Sequence, residues 1–111
     1  MEEDFFERRD SPRVPFEFMV REKALGGSFE QRSGNLSLGG IFFTGNHPPV
    51  GSEVEVRFVV PGDEREIEAA GEVIRVRRTG DHFGSHIRFT EIAVEGELAV
   101  ARYLQAVTAK P

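Results

Sequence analysis

Val54, Val56, Phe58 and Val60 alternate with Glu53, Glu55, Arg57 and Val59. A period of two puts each set on its own face of a half-buried strand. Phe16, Phe18 and Val20 alternate in the same way with Glu17, Met19 and Arg21. A second strand of weaker apolar content is expected over residues 29–37, and a short apolar one in "GGIFFTG", residues 39–45. Leu36 and Leu38 share a parity, which directs both inward. Phe42 and Phe43 are adjacent and must face opposite sides, one of them the core. "REIEAAGEVIRVRR", residues 65–78, is long for a strand and changes phase. Ile67, Ala69 and Val73 share one parity, while Ile74 and Val76 share the other. A bulge or bend near Gly71 accounts for the switch. Phe83, Ser85, Ile87 and Phe89 then alternate with His82, Gly84, His86 and Arg88.

Turn residues separate these runs: "LGGS" at 25–28, "NHPPVGS" at 46–52, "PGDE" at 61–64 and "TGDH" at 79–82. Val94, Leu98, Ala101, Leu104 and Val107 recur at three- and four-residue steps, the stripe of a helix over about 93–108. Six strands joined by short turns tend to close into an antiparallel barrel, which removes the sheet edges. The helix would cap an open end with its apolar stripe. Residues 1–15 differ from the rest. They are charged, and Pro12 and Pro15 oppose helix formation. We read them as a flexible arm preceding a single barrel domain, residues 16–111.

Composition narrows the function. A chain of 111 residues makes one domain. The N-terminus has no apolar core segment of a signal peptide, and no apolar run is long enough to span a membrane. A cytoplasmic setting is therefore expected. No cysteine is present, so thiolate chemistry is excluded. The net charge of -5 opposes binding to long nucleic acids, which needs a broad basic face. An anion would have to be caught by a local cluster.

"ERRDSPRVPF", residues 7–16, holds such a cluster: Arg8, Arg9 and Arg13. A guanidinium is planar, always charged and a fork of donors. It grips phosphate, or the O6/N7 edge of guanine, with two parallel hydrogen bonds. Three of them on an arm are able to fold over a compact anionic ligand. Alternatively, they form a solvated segment paired with Glu7 and Asp10. "NLSLGGIFF", residues 35–43, is the second stretch. Asn35 and Ser37 project from one strand face, with the bare backbone of Gly39 and Gly40 beside them. Their donors and acceptors suit the edge of a base, or equally a tight turn between strands.

Together, "RRDSPR" and "NLSLGG" resemble the signature of the PilZ domain family. Its pattern is matched by Arg9-x-x-x-Arg13 and by Asn35-x-Ser37-x-x-Gly40, with Asn where Asp is commoner. "GEVIRVRR" and "HFGSHIRF" also resemble strands of that family. The resemblance implies a six-stranded antiparallel barrel that receives the bacterial second messenger cyclic di-GMP. It implies that Arg9 and Arg13 hold guanine edges and phosphates, that Asn35 and Ser37 hydrogen-bond a guanine, and that Gly40 keeps the surface open. Arg8 is extra to the pattern, either stacking on a second guanine or lying solvated. Binding would order the arm and pass the signal to an unidentified downstream protein, from a monomer or a ligand-linked dimer. The alternative is a nucleotide-independent interaction module of the same type.

No cofactor, metal site or catalytic set is expected. His82 and His86 share a strand face but stand roughly 13 Å apart, too far for one ion. Both are expected to be surface or partly buried positions. Arg75, Arg77 and Arg78 are by default solvated, though one of them could reach a ligand from a neighbouring strand. Phe5, Phe6 and the outward member of the Phe42/Phe43 pair are candidate partner contacts.

Overall fold

A computed structural model of the chain describes residues 14–45, 47–63 and 65–108. Six strands precede one helix: β1 (Val14–Glu22), β2 (Glu30–Ser37), β3 (Gly40–Thr44), β4 (Glu53–Val59), β5 (Glu66–Thr79), β6 (His82–Ile92) and α1 (Val94–Thr108). The strands close into an antiparallel barrel in the order β1-β2-β3-β6-β5-β4. The alternating residues behave as their period dictates. Phe18, Val54, Val56 and Phe58 fill the barrel interior together with Leu36, Ile41, Phe43, Val73 and Ile87. Phe43, not Phe42, is the core member of its pair.

The phase switch on β5 lies at Ile74, three residues beyond the position expected. Val73 pairs with Ile87 and Arg75 with His86, so Ile74 is the extra residue. Beyond it, Arg75 and Arg77 take the outer parity and Val76 the inner. At Gly71 the irregularity is on β6, where Ala70 pairs with Glu91 and Gly71 with Phe89. Gly71 answers a different demand, close approach: a Cβ there would lie 2.5 Å from Ile87 Cγ2 and 2.7 Å from the Arg88 carbonyl oxygen.

Helix α1 turns a different face to the barrel from the one its large apolar residues predict. Gly96, Ala99, Val100 and Leu104 are buried. Val94, Leu98 and Val107 are exposed, at 68%, 50% and 45%. The reason is closeness of approach. A Cβ on Gly96 would sit 3.0 Å from Ile67 Cγ2, so the start of the helix lies nearly against β5, with the small Gly96 and Ala99 at the contact and Val100 and Leu104 following them inward. Tyr103 completes the seal with its ring 5.6 Å from that of Phe16. Phe16 also meets Phe18 and Phe58. Two valines of one helix test this reading. Val100→Ala, at a position 1% exposed, is expected to lower stability by about 2 kcal/mol, whereas Val94→Ala leaves it nearly unchanged. Urea melts of both variants check the orientation, and equal losses would contradict it.

The chain direction gathers several features at one end of the barrel. The start of β1, the turn between β2 and β3, the end of β6 and the start of α1 all lie there.

Candidate functional site

The β2–β3 connection is a two-residue turn. Ser37 pairs with Gly40, and Leu38 and Gly39 span the gap. The turn breaks the strand alternation, so Leu38 does not follow Leu36 inward. It stands 50% exposed at the turn tip, which corrects the inward placement expected of it. Ser37 is 3% exposed, and its hydroxyl donates to the Gly40 carbonyl at 3.1 Å. That bond uses the hydroxyl proton and leaves the oxygen able to accept. The Gly39 carbonyl accepts from the Phe89 amide at 2.9 Å, tying the turn to β6. Gly40 is buried and pairs with Arg88. Arg88 in turn holds Glu72 at 2.9 Å.

Asn35 is half-buried on the outer face of β2. Cross-strand partners share a face of a sheet, so the register defines a row: Pro15, Asn35, Phe42, His86, Arg75. The row runs from the exposed Pro15 through the half-buried Asn35, Phe42 and Arg75, with His86 buried among them. His86 is 2% exposed, against the expectation of a surface or partly buried strand residue. Its ring packs 4.7 Å from the Phe42 ring. Phe42 lies across Gly84, where a Cβ would come within 2.2 Å of its Cζ. Phe42, lying over Gly84 and tilted 52° against the buried His86 ring, thus makes an apolar floor next to Asn35. His82 is exposed. His47 packs on Phe83, 4.6 Å between centroids, at the opposite end of the barrel.

Among the sequence-derived site residues, Asn35, Ser37 and Gly40 come together on the β2–β3 hairpin. Arg8, Arg9 and Arg13, with the rest of the arm, Phe5 and Phe6 included, lie outside the described residues. No spacing in the sequence marks Phe42, His86 and Arg75 as a set. Their common row depends on the register of four strands, which no local pattern carries. Among the described residues, no group of three or more His, Cys, Asp or Glu side chains is arranged to hold a metal ion. No helix of the described residues is long and apolar enough to cross a membrane.

The family model described as PilZ domain matches residues 7–106. The chain belongs to the PilZ domain family. The match spans both the arginine segment and the β2–β3 hairpin. PilZ domains form a cyclic di-GMP receptor family of binding and regulatory modules, not enzymes, and some members act independently of nucleotide. Solved structures share the fold. The Bacillus subtilis inhibitor of motility MotI/DgrA is similar with a TM-score of 0.74 and 20% identity over 94% of this chain. This PilZ chain covers 54% of that protein, about half its length. A pathogenic protein from Xanthomonas campestris, described as a tetrameric PilZ domain self-assembled through a helical bundle, aligns with a TM-score of 0.64, 10% identity and coverage of 90% and 87%. The PilZ domain of CeSA from a cellulose-synthesizing bacterium aligns with a TM-score of 0.61, 19% identity and coverage of 87% and 98%. No curated protein sequence matches this PilZ domain.

Proposed function

We propose that this PilZ domain binds cyclic di-GMP on the outer barrel face at the β2–β3 hairpin, with the arginine segment closing over the ligand. The observation that carries the reading is the register of β1 on β2. Val14, the residue after Arg13, pairs with Leu36, between Asn35 and Ser37. The strand that continues from the arginine segment is therefore the hydrogen-bonded neighbour of the strand that carries Asn35 and Ser37.

The chemistry of each group suits this ligand. Cyclic di-GMP carries two phosphates and two guanines. Arg9 and Arg13 offer bidentate donors to phosphate oxygens or to O6/N7 edges. Asn35 has both a donor and an acceptor for a guanine edge, and Ser37 Oγ keeps lone pairs that accept from guanine N–H groups. Gly40 adds no side chain above the turn. Arg8 stacks on a second guanine if two nucleotides bind per protomer, so stoichiometry decides its role.

Output then passes to a partner protein that reads the altered end of the barrel. Leu38 at the turn tip and Val94 and Leu98 on α1 are exposed apolar side chains at that end, surface such a partner would cover.

Calorimetric titration of the whole chain with cyclic di-GMP, with GTP as control, tests the proposal. Saturable binding of cyclic di-GMP alone is expected. Asn35→Ala is expected to raise Kd about tenfold, the effect of losing one or two buried hydrogen bonds. Absence of heat and of thermal stabilisation at high ligand would rule the receptor reading out in favour of a nucleotide-independent module.

A further inference from the structure

The bulge on β5 selects which of its arginines face the candidate site. With Ile74 unpaired, Arg75 stands opposite His86 and Arg77 opposite Gly84, both on the outer face. Arg78 is drawn elsewhere. Its Nε donates to the Gly80 carbonyl at 3.1 Å, and its guanidinium lies 6.0 Å over the Phe83 ring. Arg88, the outer-face cation of β6, is engaged by Glu72. Arg75 alone among the β5 arginines shares the cross-strand row of Asn35, with Phe42 and His86 between them.

The row has a length. Neighbouring strands lie about 4.8 Å apart, so three steps from Asn35 to Arg75 span roughly 14 Å. One base held at Asn35 falls short of that span. A dinucleotide, with a second base and two phosphates, does not. The surface between is formed by the half-buried Phe42 ring, backed by the buried His86 ring 4.7 Å away and tilted 52° to it.

We propose that Arg75 is a further ligand contact of this site, holding the end of the dinucleotide that lies away from Asn35, across the floor made by Phe42. The inference rests on the cyclic di-GMP reading above. The acceptor is a phosphate or the O6/N7 edge of the second guanine, both of which match a guanidinium fork.

The test is a calorimetric titration of the full chain with cyclic di-GMP, beside Arg75→Met, Arg75→Lys and, as control, Arg78→Met. Arg75→Met is expected to raise Kd tenfold or more, and Arg78→Met less than twofold, with unliganded melting unchanged in both. Arg75→Lys keeps the charge and the aliphatic stem and loses the fork. It is also the variant to use should Arg75→Met melt early. Partial recovery by Arg75→Lys marks a phosphate contact, and no recovery marks a guanine edge. A Kd for Arg75→Met within twofold of the unmodified chain overturns the inference. Failure of the unmodified chain to bind removes the receptor reading itself, a result distinct from a binding-competent chain indifferent to Arg75.

Discussion

Arg9→Ala with Arg13→Ala is expected to remove cyclic di-GMP binding while the unliganded protein melts as before. A hydrogen bond to a charged group contributes about 1.5–3 kcal/mol. Each single change should therefore raise Kd by about 10- to 100-fold, and the pair together by two orders of magnitude or more. Both residues precede β1, whose first residue is Val14, so neither belongs to the described barrel core. Thermal melting separates binding from folding in one experiment. Ligand at about 100 times Kd stabilises a native state by about 2.7 kcal/mol. For a domain of this size that is a shift of roughly 10 °C or more. The unmodified chain should show it and the double variant should not. A double variant that still shifts would mean that the hairpin face binds the nucleotide without the arm. A double variant that melts early without ligand would mean that the arginines support the fold instead.

The charge balance makes this expectation specific. With a net charge of -5, the protein has no general attraction for polyanions. Local cations must do the work, and many outside the arm are already paired. Arg21 meets Glu55 at 2.6 Å, Arg32 meets Glu30 at 2.6 Å, and Arg88 meets Glu72 at 2.9 Å. Arg21 and Arg57 also flank the Phe29 ring, at 4.6 Å and 4.4 Å from its centroid. Losing the arm's arginines leaves these pairs untouched, so they should not substitute for it.

Much of the barrel was readable from side-chain period because a half-buried strand repeats every two residues. Val54, Val56 and Phe58 needed no partner to be assigned inward. The turns were readable for the same local reason, through glycine and proline. What failed was set by distance or by partner. Of the apolar stripe on α1, Leu104 is buried as its period predicts, while the tight contact at Gly96 brings Ala99 and Val100 inward in place of Val94, Leu98 and Val107. Leu38 was misplaced because a two-residue turn cuts the alternation just before it. The irregularity expected near Gly71 is present, with its extra residue on β6, but the phase switch of β5 comes from a second one at Ile74 that no glycine marks. His86 looked like a surface residue because its burial comes from Phe42, a neighbour 44 positions earlier in the chain. At the candidate site the hairpin residues Asn35, Ser37 and Gly40 were legible from their spacing and family pattern. The row that continues to Arg75 was not, since it exists only once four strands are in register.

Gly34→Ala is expected to be the most damaging single substitution in the barrel. Gly34 pairs with Phe16 on one side and Phe43 on the other. A Cβ on Gly34 would sit 1.7 Å from the Phe42 carbonyl oxygen, and 2.7 Å from both the Phe42 carbonyl carbon and Phe43 Cα. Every one of these atoms is backbone, so no side-chain rotation relieves the clash. Strands β2 and β3 must part locally. Parting them forfeits ladder hydrogen bonds worth about 1 kcal/mol each and leaves buried amides or carbonyls unsatisfied at about 1–3 kcal/mol each. The expected loss is about 4 kcal/mol or more, a fall in Tm of roughly 15 °C or more. Gly84→Ala offers the instructive contrast. Its obstacle is the far end of the Phe42 ring, which is able to swing aside, so its effect should fall on ligand affinity more than on Tm. Gly62→Ala supplies the control for backbone strain alone. Its φ is +91° and no atom lies within 4 Å of the added Cβ, so about 1–2 kcal/mol is expected. Melting the three variants side by side ranks the causes. A Gly34→Ala protein that melts within a few degrees of Gly62→Ala would show that the β2–β3 hairpin yields easily, and that Asn35 and Phe42 are not held at a fixed separation for the ligand.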